Sequence, residues 1–154
     1  SRFLTLTKGT GVINRIFHGY GKFEGEMDGR KNGALISMST GKAVAFAIFN
    51  LQARGEMFVT HNDPVYEGMI VGLTPKPGDM IINVMKGKQL TNMRTQGTDE
   101  NVVLTPVRQM SIAEQLSMLN TDEALEITPK SLRLRKAILN PHDRKRSEKS
   151  GTAA

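Results

Sequence analysis

The sequence predicts a mainly β protein, a small β-barrel, open or closed, with short accessory helices. Short apolar or alternating runs recur between clusters of Gly, Pro, Asn and Asp, the texture of strands joined by tight turns. Fourteen of the fifteen glycines, all six Phe and both Tyr fall in the first 97 residues, so the turn-rich, aromatic part comes first. Helix signals with recognisable caps are few, and a chain of 154 residues with 38% apolar content can bury a real core.

Taken in order, residues 3–7 (FLTLT) and the pair Val12-Ile13 flank the turn residues Lys8-Gly9-Thr10-Gly11. That reads as the end of a helix or strand, a turn, and a strand reaching Tyr20. Residues 33–39 (GALISMS) and 42–47 (KAVAFA) flank Thr40-Gly41 as a hairpin would. Residues 49–54, closed by Gly55, read as a short helix with glycine at C′; a longer helix starting at Ala43 competes with that reading. Further strands are expected over 56–60, 68–73, 79–85 and 102–105.

The clearest local signal is SIAEQLSML. Ser111 can cap a helix that Glu114 closes as a capping box, and Ile112, Leu116 and Leu119 then share one face. Leu125 and Ile127 alternate with Glu126 and Thr128 as a strand. In SLRLRK, Leu132 and Leu134 point one way while Ser131, Arg133 and Arg135 point the other. Asn140-Pro141 suits a cap and first turn for a final short helix bearing Arg144, Lys145 and Arg146.

Charge is unevenly placed. Residues 1–129 hold thirteen Lys/Arg against thirteen Asp/Glu, and residues 130–154 hold eight against two, so the formal +6 is terminal. Such a field attracts polyanions by counterion release, or is simply a solvated basic tail. No run is apolar enough to span a membrane, and no basic-then-apolar leader precedes Phe3, so a soluble chain without a signal peptide is expected. With no Cys, disulfides, thiolate metal sites and cysteine nucleophiles are excluded; a reducing compartment fits. The start at Ser1-Arg2-Phe3 reads as a piece of something longer.

Between MIINVM (80–85) and VVL (102–104), residues 86–101 (KGKQLTNMRTQGTDEN) pass with no apolar rhythm. Compact domains join elements with about 4–6 residues, so this join is expected to be functional or disordered. Lys86, Lys88 and Arg94 suit phosphates, while Gln89, Thr91, Asn92, Gln96 and Thr98 suit base edges or 2′-hydroxyls. Without aromatics the segment is no stacking platform for free single strands, so structured RNA fits better.

Catalytic motifs are missing. The pairs Gly21-Lys22, Gly41-Lys42 and Gly87-Lys88 lack the rest of a nucleotide phosphate loop, and Gly9-Thr10-Gly11 and Gly19-Tyr20-Gly21 lack the third glycine of a dinucleotide loop. The histidines at 18, 61 and 142 have no second ligand at metal-binding spacing. His61 with Asp63 reads as an acid–base pair or, more economically, as the turn chemistry of HNDP. Asp99-Glu100 reads as a metal pair or as partners of Lys86 and Arg94. A hydrolase built on His61, Asp63, Asp99 and Glu100 would need those side chains to converge in space.

Taken together, GTG at 9–11, NGALIS at 32–37, GKAVAFAIFNLQARG at 41–55, VYEGMIVG at 65–72, KGKQLTNMRTQGTDE at 86–100, LTP at 104–106 and ITPKSLRLRK at 127–136 closely resemble the C-terminal end of the BipA/TypA family. Its members are ribosome-associated translational GTPases related to elongation factor G. The resemblance implies three regions. Residues 1–20 would be the end of an elongation-factor-like α/β fifth domain, residues 21–146 the family's C-terminal β-barrel domain with accessory helices, and residues 147–154 a polar tail. It implies a cytoplasmic, monomeric protein whose partners are the ribosome, large-subunit rRNA and the A-site tRNA, reached by the loop matching 81–100. It also implies a link to ribosome assembly and stress-responsive translation. GTP and Mg would belong to an N-terminal domain that has no match here, so no cofactor and no catalysis are expected of this chain. The residues expected to contact RNA are Lys86, Lys88, Gln89, Asn92, Arg94 and Thr98, with Arg133, Arg135 and Lys136 adding phosphate attraction if they share a face. Arg133 and Arg135 also read as a solvated strand face, and a general structured-RNA-binding barrel without ribosome specificity is the alternative function.

Overall fold

The structure, a computed structural model, describes residues 2–22, 30–87 and 103–151. Its centre is a strand with no polar face: β1 (Ala34–Ser37) is buried at every position. Such a strand must be covered on both sides, and the alternation of its side chains shows how. Leu35 enters one apolar cluster with Ile48, Val71 and Val84, while Ala34 and Ile36 enter a second with Ile70 and Leu134. Full burial of a side chain such as Leu35 or Ile48 contributes about 2 kcal/mol.

The strands around it form a four-stranded sheet ordered β3 (Glu56–Met57), β5 (Ile70–Leu73), β1 and β6 (Met80–Ile82). β5 runs antiparallel to β1 with a register shift between Leu35 and Ile36, and β6 runs parallel to β1. Helix α2 (Ala45–Gln52) covers the first cluster through Ala47, Ile48 and Leu51. On the second face lies the hairpin of β7 (Glu123–Ile127) and β8 (Leu132–Lys136), with Leu134 and Leu125 turned inward. A short pair, β2 (Gly41–Lys42) with β4 (Pro64–Val65), completes the β structure.

Among the described residues the sheets do not close into a barrel, so the mainly β class holds while the barrel is not seen. The expected hairpin across Thr40-Gly41 is absent, because β1 is already flanked by β5 and β6 and the chain leaves it to pair β2 with β4. After Val44 the backbone enters α2, which starts near the earlier of the two expected positions. Gly55 is not the C′ residue, since the cap is Ala53. A Cβ at Gly55 would overlap the Leu73 carbonyl, so close approach to β5 explains the glycine.

At the N-terminus α1 (Arg2–Leu6) is a helix that ends in a turn with Lys8 and Gly9 at positive φ. Residues 10–22 then form no strand, and Val12, Ile16, Phe17 and Tyr20 are exposed. Residues 103–111 are likewise irregular where a strand was expected. α3 (Ile112–Ser117) has its capping box: the Glu114 amide donates to Ser111 Oγ at 3.3 Å and the Ser111 amide to Glu114 Oε2 at 2.9 Å. Its buried residue is Gln115, however, and Ile112 and Leu116 are about half exposed. α4 (Pro141–Gly151) begins as expected, with the His142 amide donating to Asn140 Oδ1 at 2.8 Å, and continues through Arg146.

Gly68 joins three of these elements. Its amide donates to Ser37 O at 3.0 Å, its carbonyl accepts from Lys136 N at 2.9 Å, and its φ of +83° with Leu139 Cα 2.7 Å from a built Cβ excludes other residues.

Candidate nucleic-acid interface

The β7–β8 hairpin sorts its charges by parity. Leu132, Leu134 and Lys136 face one way, and Arg133 and Arg135 the other. Lys136 is therefore carried inward beside Leu134 and is 2% exposed. Its ammonium lies 2.5 Å from Asp79, 2.6 Å from Asp122 and 3.1 Å from Glu123. Glu123 is also gripped by Arg30 through two bonds of 2.8 and 3.2 Å, and its Oε2 accepts from Asn120 N at 3.1 Å. Asp79 in turn accepts from Ala34 N at 2.7 Å, so the cluster ties the hairpin to β1 and to the turn before β6.

Burial works against the charge on Lys136, but the bonds to Asp122 and Asp79 and the field of Glu123 hold its ammonium above the ordinary lysine range. Burial likewise opposes ionisation of Asp79, and Lys136, the Ala34 amide and Arg30 hold its carboxyl below the ordinary range. Lys136 thus shares no face with Arg133 and Arg135, and its charge is already matched. The expectation that it attracts phosphate is corrected to a structural role.

Arg133 and Arg135 are half-buried on the other face. Arg133 stands opposite Glu126 across the hairpin, 3.6 Å away. Glu126 accepts from the Tyr66 hydroxyl at 2.5 Å. Burial, this bond and the Glu126 charge push the Tyr66 phenol up to about 12, and the two arginines pull the other way. Arg135 bends back, donating to the carbonyls of Lys136 and Ala137 at 3.2 and 3.4 Å.

Lys86 is exposed at the edge of an open groove of about 530 Å³ between α2 and β6, beside Asn50, Arg54 and Asn83. Lys88, Gln89, Thr91, Asn92, Arg94, Gln96 and Thr98 lie outside the described residues, as do Asp99 and Glu100.

The other candidates are engaged locally. Asp63 Oδ2 accepts from Thr60 N at 2.7 Å and Thr60 Oγ1 at 3.1 Å, and His61 Nδ1 accepts from Ala45 N at 3.2 Å, with Asn62 at φ +72°. That is the turn chemistry of HNDP. Among the described residues no three His, Cys, Asp or Glu side chains group as metal ligands, and no helix is long and apolar enough to cross a membrane. The groups missed by sequence reasoning are Arg30, Asp79, Asp122 and Glu123. Only the parity of Lys136 with Leu132 and Leu134 could have flagged the cluster.

The family model described as "TypA/BipA C-terminal domain" matches residues 32–141. This chain belongs to that family. It is 48% identical over 153 residues to the "Large ribosomal subunit assembly factor BipA" of Buchnera aphidicola subsp. Schizaphis graminum, covering 99% of this chain and 25% of that protein. It is 46% identical to the proteins of the same name from Salmonella typhimurium and from Escherichia coli K12, each across 97% of this chain. The chain thus spans about a quarter of the length of the curated relatives it matches.

Proposed function

We propose that this chain is the large-subunit-binding portion of a ribosome-associated GTPase, and that it engages folded RNA without catalysing a reaction itself. The observation that carries this is the 46–48% identity, over nearly the whole chain, to proteins named for large ribosomal subunit assembly. In this reading residues 86–98 supply Lys86, Lys88 and Arg94 to phosphates and Gln89, Asn92 and Thr98 to base edges or 2′-hydroxyls of large-subunit rRNA and A-site tRNA. Arg133 and Arg135 add positive charge from the hairpin. GTP and Mg²⁺ belong to parts of the longer protein outside this chain, and the protein works as a cytoplasmic monomer.

The exposure of Lys86 on a groove that also carries Arg54 supports the reading, as does the terminal placement of the formal +6. The test compares binding of the chain to purified large ribosomal subunits and to an unrelated structured RNA of similar length, with and without replacement of residues 86–98 by a short turn. The proposal expects preference for the subunit and loss of that preference on replacement. Equal affinity for both RNAs would favour a general RNA-binding module, and unchanged subunit binding after replacement would reject the assignment of the loop.

A further inference from the structure

A second cavity, of about 780 Å³, opens between residues 107–112 with α3 on one side and the β7–β8 turn on the other, over the end of the sheet. Phe58, Met69, Met110, Leu132 and Leu134 form an apolar wall, and polar side chains such as Thr60, Gln109 and Thr128 line the remainder. Gln115 reaches it from α3 and is 8% exposed. The carboxamide nitrogen donates to Met110 O at 3.3 Å, which fixes the orientation of the amide, and its oxygen has no hydrogen-bond partner among the described residues. A buried acceptor left unsatisfied costs about 1–3 kcal/mol, and this one belongs to a helix whose pattern points to Ile112, Leu116 and Leu119 as its apolar face. Ile112 and Leu116, the residues that pattern expected to bury, are exposed instead.

The rim has the opposite character. Lys130, Arg133 and Arg108 line it; Arg133 lies 3.6 Å from Glu126, Arg108 lies 3.4 Å from Glu56 and 3.7 Å from Glu114, and Asp63, the carboxylate in the lining, is bonded to Thr60. Lys130 is exposed and lies at the turn that closes the hairpin. The cavity therefore combines an apolar wall, one buried acceptor and a rim that carries Lys130 beside two ion-paired arginines.

We propose that this cleft binds a nucleotide, its base held against the apolar wall with an exocyclic amine or ring N–H donated to Gln115 Oε1, and its phosphate at Lys130 and Arg133. A free mononucleotide and a base extruded from an RNA chain present the same chemistry. Arg133 is shared with the proposed RNA surface, but the cleft does not use residues 86–98.

The test is titration of the chain with adenosine 5′-monophosphate, adenosine and a short adenylate oligoribonucleotide, followed by calorimetry and by amide chemical shifts. Saturable binding is expected, with shifts at Phe58, Met110, Gln115 and Leu132. Binding of the oligonucleotide alone would assign the cleft to RNA, and binding of the mononucleotide as well would assign it to free nucleotides. Gln115→Leu is expected to weaken binding about tenfold while melting at the same or a higher temperature, since it removes the unsatisfied acceptor. Lys130→Glu is expected to weaken the mononucleotide and leave adenosine unchanged. Replacement of residues 86–98 leaves mononucleotide binding intact, which separates this site from the loop. No saturable binding of any of the three ligands, shifts confined to other surfaces, capture of a peptide in place of nucleotides, or unchanged affinity in folded Gln115→Leu would overturn it.

Discussion

Lys136 shows how strongly position outweighs residue type. A lysine in a basic terminal segment looks like a contact for phosphate, yet three carboxylates surround its ammonium and close it from solvent. Removing the ammonium leaves the part-buried Asp79 without its cation and the buried Glu123 with Arg30 alone, so Lys136→Met is expected to lower unfolding stability by about 3 kcal/mol in urea melts. Arg133→Ala, whose partner Glu126 is half-exposed, should cost under about 1 kcal/mol. Tyr66 offers a spectroscopic reading of the neighbouring network. Its phenolate should form only near pH 12, and Glu126→Gln should bring that titration down, read from ultraviolet phenolate absorbance. Gly68→Ala, at φ +83° and against Leu139, should destabilise by more than about 1 kcal/mol.

Elements whose signals are local were legible in the sequence. The capping box of α3, the Asn140-Pro141 start of α4 and the alternation of β8 depend on neighbours within a few residues, and each is present. Ser111→Ala is accordingly expected to cost about 1 kcal/mol, measured in thermal melts. Elements that depend on distant partners were not legible. β1 and β2 flank a plausible turn but pair with β5, β6 and β4, which no local pattern specifies. The exposure of Ile112 and Leu116 likewise follows from where α3 sits rather than from its periodicity. At the site, Arg133 and Arg135 were placed correctly on the face opposite Leu134, whereas Lys136 needed the same parity carried one step further.

For the whole molecule, the ionic cluster ties the hairpin to the central sheet and sets how stability depends on pH. Asp79 titrates below its ordinary value, so its contribution is present above about pH 4 and is lost as pH falls through the lower, folded value. Lys136 titrates above its ordinary value, so its contribution is complete below about pH 10 and is lost as pH rises beyond it. Melting temperature is therefore expected to plateau through neutral pH and fall at both ends, and Lys136→Met should flatten both edges. In the proposed function residues 86–98 engage the large subunit, and the most direct test is co-sedimentation with large ribosomal subunits over a salt series. Replacing Lys86, Lys88 and Arg94 together by Ala should weaken binding and reduce the log–log salt slope by about 2–3. An unchanged affinity and an unchanged slope would contradict the account.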